Sequence, residues 1–169
     1  MAITRRMSNK YNSSANVVNV LPGIERTIVR EGTLQSSTET LSPGCIVVPA
    51  TGAPPATVGY HGATTRFQAP TGAVGTSWSV LDITSGDGGT LLSEYNEGDQ
   101  VSTITRAIGA TFNVRIAGTA VVAENTVLSA STTGNGFVVP GNANPIGIAR
   151  ENLVVSDPSL PTYILMEVI

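Results

Sequence analysis

The sequence predicts an all-β protein: a small β-barrel or β-sandwich with an extended N-terminal arm and a long Pro/Gly-rich loop region. Short apolar runs recur about every 8–12 residues between turn signals, which is typical of such folds. No stretch of ten residues has helical periodicity. The chain is rich in Val and Thr and contains 18 Gly and 10 Pro, residues that favour pleated strands and tight turns respectively.

The apolar runs predict the individual strands. Cys45 is the only cysteine, so it forms no intramolecular disulfide, and its apolar run indicates a buried side chain. The principal predicted strands are Cys45–Val48, Trp78–Ile83, Gln100–Arg106, Phe112–Ile116, Ala120–Val122, Val127–Leu128, Phe137–Val139, Ile146–Ala149 and Tyr163–Val168. The predicted turns are Ser42–Gly44, Ser85–Gly89, Glu97–Asp99, Gly134–Gly136 and Pro140–Asn142.

Charge divides the chain into two parts. Residues 1–30 hold five basic residues and one acid, a balance of +4, whereas residues 31–169 hold four Arg and eleven acids, a balance of −7. We therefore expect an arm over residues 1–24 and a single β domain over 25–169. Residues 49–77 form a long loop excursion in this interpretation, with a short strand at Ala56–Tyr60.

The arm has two possible roles. It could dock on an acidic partner, or it could be a frayed terminus without a partner. The residues that favour docking are three basic side chains and three valines with the potential to add a strand: Arg5, Arg6, Lys10, Val17, Val18 and Val20.

Several function classes are disfavoured. No run approaches the roughly 20 apolar residues of a membrane span. Arg5 and Arg6 are not followed by the apolar region of a signal peptide, so we expect synthesis in a cytoplasm. Three early basic charges give only a weak phosphate interaction, and no nucleic-acid partner is predicted. No cofactor is predicted either.

Catalytic and metal sites find little support. His61 is the single histidine, and no Gly-x-Ser-x-Gly motif marks a serine nucleophile to accompany it. Glu94, Glu97 and Asp99 offer oxygens to a cation, but their spacing does not match a calcium-binding loop and indicates a turn. We expect a protein that is not an enzyme.

One group of motifs resembles a known family. The turns and strands at Tyr95–Val101, Gly118–Val122, Gly134–Val139 and Pro145–Glu151 follow one another. Together with Leu41–Val47 upstream, this pattern resembles the small, β-tulip-like head decoration (cement) proteins of tailed bacteriophages. The likeness covers roughly 110 residues and includes no catalytic motif.

The resemblance implies a virion protein on the outer capsid surface. Such proteins bind the major capsid protein as homotrimers at local three-fold positions and stabilise the expanded shell. It implies that the arm contacts the capsid and that the 49–77 region supplies trimer or capsid contacts, for which the candidate residues are Tyr60, His61, Arg66 and Phe67. The greater length of this chain leaves stoichiometry open.

Two alternatives remain. One is another virion surface module, a fibre or spike domain or a carbohydrate-binding β domain, although the aromatic residues are too scattered for a sugar platform. The other is a small trimeric β-fold nucleotide hydrolase, although Gly86–Thr90 lacks the lysine of a phosphate-binding loop.

Overall fold

The computed structural model describes residues 18–19, 29–35, 40–51, 65–82, 93–117, 121–155 and 161–169. Within these ranges the regular elements are strands joined by turns and loops, and none is a helix. The prediction of an all-β fold with a small barrel is confirmed. The predicted strand at Ala56–Tyr60 and the predicted turn at Ser85–Gly89 lie outside the described residues.

Five strands close a barrel in the order β2-β4-β3-β5-β6. The pairing of β2 with β4 is parallel, and the other neighbours are antiparallel. These strands are β2 (Val29–Leu34), β3 (Ile46–Pro49), β4 (Arg66–Gln68), β5 (Ser79–Leu81) and β6 (Gln100–Thr105).

The remaining strands form a six-stranded sheet and a two-stranded ribbon. The sheet contains β1 (Val18–Asn19), β7 (Thr111–Arg115), β9 (Val127–Ala130), β10 (Val138–Pro140), β11 (Pro145–Ala149) and β13 (Tyr163–Val168). Its order is β1-β7-β13-β11-β9-β10. The ribbon pairs β8 (Val121–Val122) with β12 (Leu153–Val154).

The six-stranded sheet curls towards closure. Ile116, directly after β7, forms a parallel bridge with Val138 of β10 at the far end of the strand order. The Ala117 N–H donates to the Val138 carbonyl at 3.3 Å. The edge of β7 that does not face β13 therefore pairs with β1 at Phe112. The residue that follows β7 along the chain approaches β10.

Strand β13 lies within this sheet, as predicted for the apolar end of the sequence. It pairs with β7 on one side and β11 on the other. Ile164, Met166 and Val168 are buried. Pairing on both sides satisfies the backbone groups that a free apolar strand would expose to aggregation.

Two apolar cores meet at β3 and β5. Val47 and Leu81 belong to the barrel core, whereas Ile46 and Val80 pack into the core of the six-stranded sheet. Successive side chains of a strand point to opposite faces. The continuous apolar run from Cys45 is thus explained by burial on both faces, and Cys45 itself is buried as predicted.

The predicted turns at 42–44 and 97–99 are confirmed. Gly44 has φ 87° and Gly98 has φ 92°, backbone conformations that glycine adopts without strain. The Cys45 N–H donates to the Ser42 carbonyl at 3.1 Å, which closes the first turn.

Two short strands fall where the sequence predicted an arm and a loop. Val18 and Asn19 pair with Phe112 and Thr111 of β7. Strand β4 lies inside the 49–77 region, where pairing with β2 and β3 holds it in the barrel. The division into an arm and one domain stays a prediction.

The sheet core sets a strict limit at Gly147. A Cβ atom there would lie 2.6 Å from the Glu167 carbonyl oxygen and even closer to Met166. Because a backbone oxygen in a paired strand cannot move aside, we expect Gly147→Ala to lower the free energy of unfolding by about 1–3 kcal/mol. Urea unfolding measures this change.

Gly72→Ala is the matched control, since no atom lies within 4 Å of the position that an added Cβ would take there. Its free energy of unfolding should change by no more than about 0.5 kcal/mol. Equal stability of the two variants would contradict the close approach of β11 and β13.

Candidate interaction surface

Three segments of the described molecule, residues 40–51, 67–81 and 125–149, contain no Asp, Glu, Lys, Arg or His. We call the surface that residues 48–51, 68–77, 132–134 and 140–145 of these segments present the uncharged face. Its exposed residues are small or carry hydroxyl or amide groups, and they include Pro49, Thr51, Thr71, Gly72, Ala73, Gly75, Thr76, Ser77, Thr132, Thr133, Pro140, Gly141, Asn142, Ala143 and Pro145.

Hydrogen bonds join the separate segments of the uncharged face. The Gly134 N–H donates to the Pro70 carbonyl at 3.0 Å, and the Val74 N–H donates to Asn144 Oδ1 at 3.2 Å. The loop at 69–77 is thereby fixed on the loops that flank β10. The Ile46 N–H donates to the Gly136 carbonyl at 2.7 Å. This bond links the loop between β9 and β10 to strand β3 of the barrel.

Ser129 orders the turn between β10 and β11. Its hydroxyl donates to the Gly141 carbonyl at 2.9 Å and accepts the Asn144 N–H at 3.1 Å. The Asn144 side chain also donates to the Ala130 carbonyl at 3.4 Å. The exposed turn at 140–143 is thus held by hydrogen bonds from less exposed polar groups, which reduces the entropy lost on binding.

An open cleft of about 400 Å³ lies within the uncharged face. Val48, Pro49, Pro70 and Val74 contribute apolar walls. Hydroxyl and amide groups from Thr51, Gln68, Thr71 and Ser77 also line it. The described residues that line the cleft carry no charge, so they offer a partner apolar contacts and neutral hydrogen bonds.

A polar cluster lies between the barrel and the six-stranded sheet. Arg115, at the end of β7, lies over the rings of Phe137 and Tyr163, with Cζ 5.0 and 5.7 Å from their centroids. Its Nη1 donates to Ser42 Oγ, and that hydroxyl lies 3.8 Å from Cys45 Sγ. Such cation–π contacts contribute about 0.5–1 kcal/mol or more each. The cluster joins the two halves of the fold.

Burial dominates the chemistry of Tyr163. Its side chain is only 7% exposed, and this burial raises the pKa of Tyr163 to about 12, although the nearby positive charge of Arg115 lowers it. Burial makes the charged phenolate costly at this position. Tyr163 therefore holds its proton and acts as a packed, neutral side chain.

Two arginines contact the uncharged segments outside the uncharged face: Arg115 contacts Ser42 and Phe137, and Arg150 contacts Asn125. Arg150 donates to Glu167 at 2.7 Å and to Asn125 at 2.8 Å. This pairing raises the pKa of Arg150 and lowers the pKa of Glu167. Exposed large apolar residues also lie elsewhere: Val121 and Val154 face each other on the ribbon, and Ile108 and Ile169 lie at one end of the sheet.

Three of the predicted contact residues lie within the described part of the chain: Val18, Arg66 and Phe67. Val18 lies in β1, whereas Arg5, Arg6, Lys10, Val17 and Val20, like Tyr60 and His61, lie outside the described residues. Arg66 of β4 is half-buried and donates to Gln35 at 2.6 Å. Phe67 is 2% exposed and packs in the barrel core of its own chain. Their roles in subunit contact stay predictions.

The acidic residues at 94–99 form a turn. The Asp99 carboxylate accepts the Asn96 N–H at 2.7 Å. Among the described residues, His, Cys, Asp and Glu side chains do not gather in groups of three that could hold a metal ion. Within the same part of the chain, no helix is long and apolar enough to cross a membrane.

Comparison with known proteins finds likeness in fold. No protein-family model matches the chain, and no curated protein matches its sequence. The fold is similar to the crystal structure of the head fibre gp8.5 N base of bacteriophage phi29, with a TM-score of 0.50. The match covers 85% of this chain and 95% of the phage chain at 10% sequence identity.

The raised pKa of Tyr163 predicts a loss of stability at high pH. The folded state binds the phenol proton more tightly than the unfolded state, whose pKa is about 10. This stabilisation is complete below about pH 10 and is lost as the pH rises towards 12. Urea unfolding should show a loss of up to about 2 kcal/mol across this window.

Tyr163→Phe should remove that pH dependence, because the variant has no phenol to ionise. Tyr95→Phe is the control: it loses the hydroxyl that donates to the Asp82 carbonyl at 3.1 Å, yet it keeps Tyr163. If the free energy of unfolding of both variants falls equally at high pH, Tyr163 is not the source of that fall.

Proposed function

We propose that this chain is a structural protein of a bacteriophage virion that binds the outer surface of the capsid. The observation that carries the proposal is the fold shared with the phi29 head fibre N base over 85% of the chain. On this proposal the protein is a homotrimer at local three-fold positions, stabilises the expanded shell and has neither a catalytic role nor a cofactor.

The arm supports a docking role towards the major capsid protein. Residues 1–24 hold three basic residues and no acid, a formal charge of +3, against −6 in the remainder of the chain. A basic segment gains affinity for an acidic surface through charge. Strand β1 starts at Val18 on the edge of β7, so the basic residues Arg5, Arg6 and Lys10 precede the point where the arm joins the sheet.

The second candidate within the same class is a fibre base. The phi29 chain belongs to a head fibre, which favours this alternative over a sugar-binding module. Trp78, Tyr95 and Tyr163 are at most 7% exposed. These three aromatic residues are therefore buried and cannot form the exposed platform on which sugars stack.

Electron micrographs of capsids with and without the protein test the proposal. We expect added density at local three-fold positions on the outer surface, and we expect decorated capsids to resist heat better than bare ones. Density that projects as a fibre would favour the second candidate. Capsids that acquire no density would contradict both.

The arm should provide a salt-sensitive part of the affinity for capsids. Arg5→Gln combined with Arg6→Gln should weaken binding per subunit roughly fivefold, since each exposed charge contributes about 0.5 kcal/mol. The loss should shrink as salt is raised. A capsid-pelleting titration at several salt concentrations measures it.

The matched control is Arg30→Gln combined with Arg106→Gln, which removes the same charge from the barrel strand β2 and from the residue after β6. Its affinity should stay within about twofold of the unmodified protein. If both double variants bind equally well, the arm has no docking role.

A further inference from the structure

We infer that the uncharged face is the surface through which copies of this chain bind one another, and that its occupant is a second copy and not the capsid. The inference deepens the proposed function and rests on it, because the proposed trimer is the assembly that this face would hold together.

The charge of the body restricts how two copies can meet. Residues 31–169 carry −7, so two bodies repel each other wherever their acidic residues come close. In a rotationally symmetric assembly, residues near the axis approach their own copies. Like charges in such a contact cost several kcal/mol. Among the described residues, the uncharged face is a region that can approach its own copy without that cost.

The composition of the face lowers the remaining costs of association. Gly, Ala and Pro lose no side-chain rotamer freedom on burial, whereas Lys, Arg and Glu lose the most. Six of the exposed residues on the two loops are of these three types: Gly72, Ala73, Gly75, Pro140, Gly141 and Ala143. The hydroxyl and amide groups of the face can replace their hydrogen bonds to water with hydrogen bonds to a second copy.

The shape of the face also fits a copy. The cleft between Pro49, Pro70 and Val74 is concave, while the exposed turn at 140–143 is held in place by Ser129. One face thus offers a recess and an ordered turn, both uncharged, for a complementary contact.

The other exposed apolar sites are less suited to self-association. Val121 and Val154 form a pair on the ribbon, but exposed Glu124 lies beside them, and its N–H donates to Asn152 Oδ1 at 2.9 Å. A symmetric contact there would bring Glu124 towards its own copy. Ile108 and Ile169 lie near Arg106 at the end of the sheet.

Charge insertion tests the inference on the purified full-length chain. Asn142→Asp combined with Thr132→Asp places two negative charges on exposed positions of the uncharged face. We expect sedimentation velocity to show self-association weakened by at least about tenfold, which corresponds to about 1.4 kcal/mol. The far-ultraviolet circular dichroism spectrum should be unchanged, because both side chains are exposed and the fold of each copy is kept.

The matched control adds the same charge outside the face. The control variant combines Asn152→Asp with Gln100→Glu, and both residues are exposed. This double variant should self-associate as strongly as the unmodified protein. Dissociation of the control, or equal association of both variants, would overturn the inference while leaving capsid binding to be scored separately by pelleting.

An unmodified protein that is monomeric at all concentrations would overturn the inference as well. If such a monomer still binds capsids, the proposed virion role survives without it. If the protein self-associates through the uncharged face and ignores capsids, the inference stands and the proposed function fails.

Discussion

Burial of β3 and β5 on both faces is the constraint on which the rest of the structure depends. Cys45 and Val47 face the barrel core, while Ile46 faces the core of the six-stranded sheet. Neither half of the fold alone could cover such a run, because a strand alternates its side chains between two faces. The barrel and the sheet must therefore pack together, and the cluster around Arg115 lies at their junction.

Local chemistry made much of the fold predictable. The turn at Ser42–Gly44 was visible because proline and glycine favour it, and Tyr163–Val168 was predicted with the bounds that the structure has. Strand β4 was not predictable. Its three residues lie among prolines and glycines, and parallel pairing with the distant strand β2 makes it a strand. Such pairing leaves no local signal in the sequence.

The candidate surface was predicted only in part. The resemblance indicated Phe67 as a possible subunit contact, which stays a prediction, and its side chain lies in the barrel core. A signal for the uncharged face was present in the run without charge from Asn125 to Ala149. Residues 67–81 are joined to that run by tertiary hydrogen bonds, from Gly134 to Pro70 and from Val74 to Asn144.

On the proposed function, the distribution of charge separates two kinds of binding. Contacts of the basic arm depend on ionic strength, because exposed charges are screened within about 10 Å at 0.1 M salt. Contacts through the uncharged face rest on desolvation, packing and neutral hydrogen bonds, which salt affects much less. A chain built in this way can keep its copies together while its attachment to an acidic shell varies with conditions. Many weak arms on one assembly then act together, since each bound arm raises the effective concentration of the others.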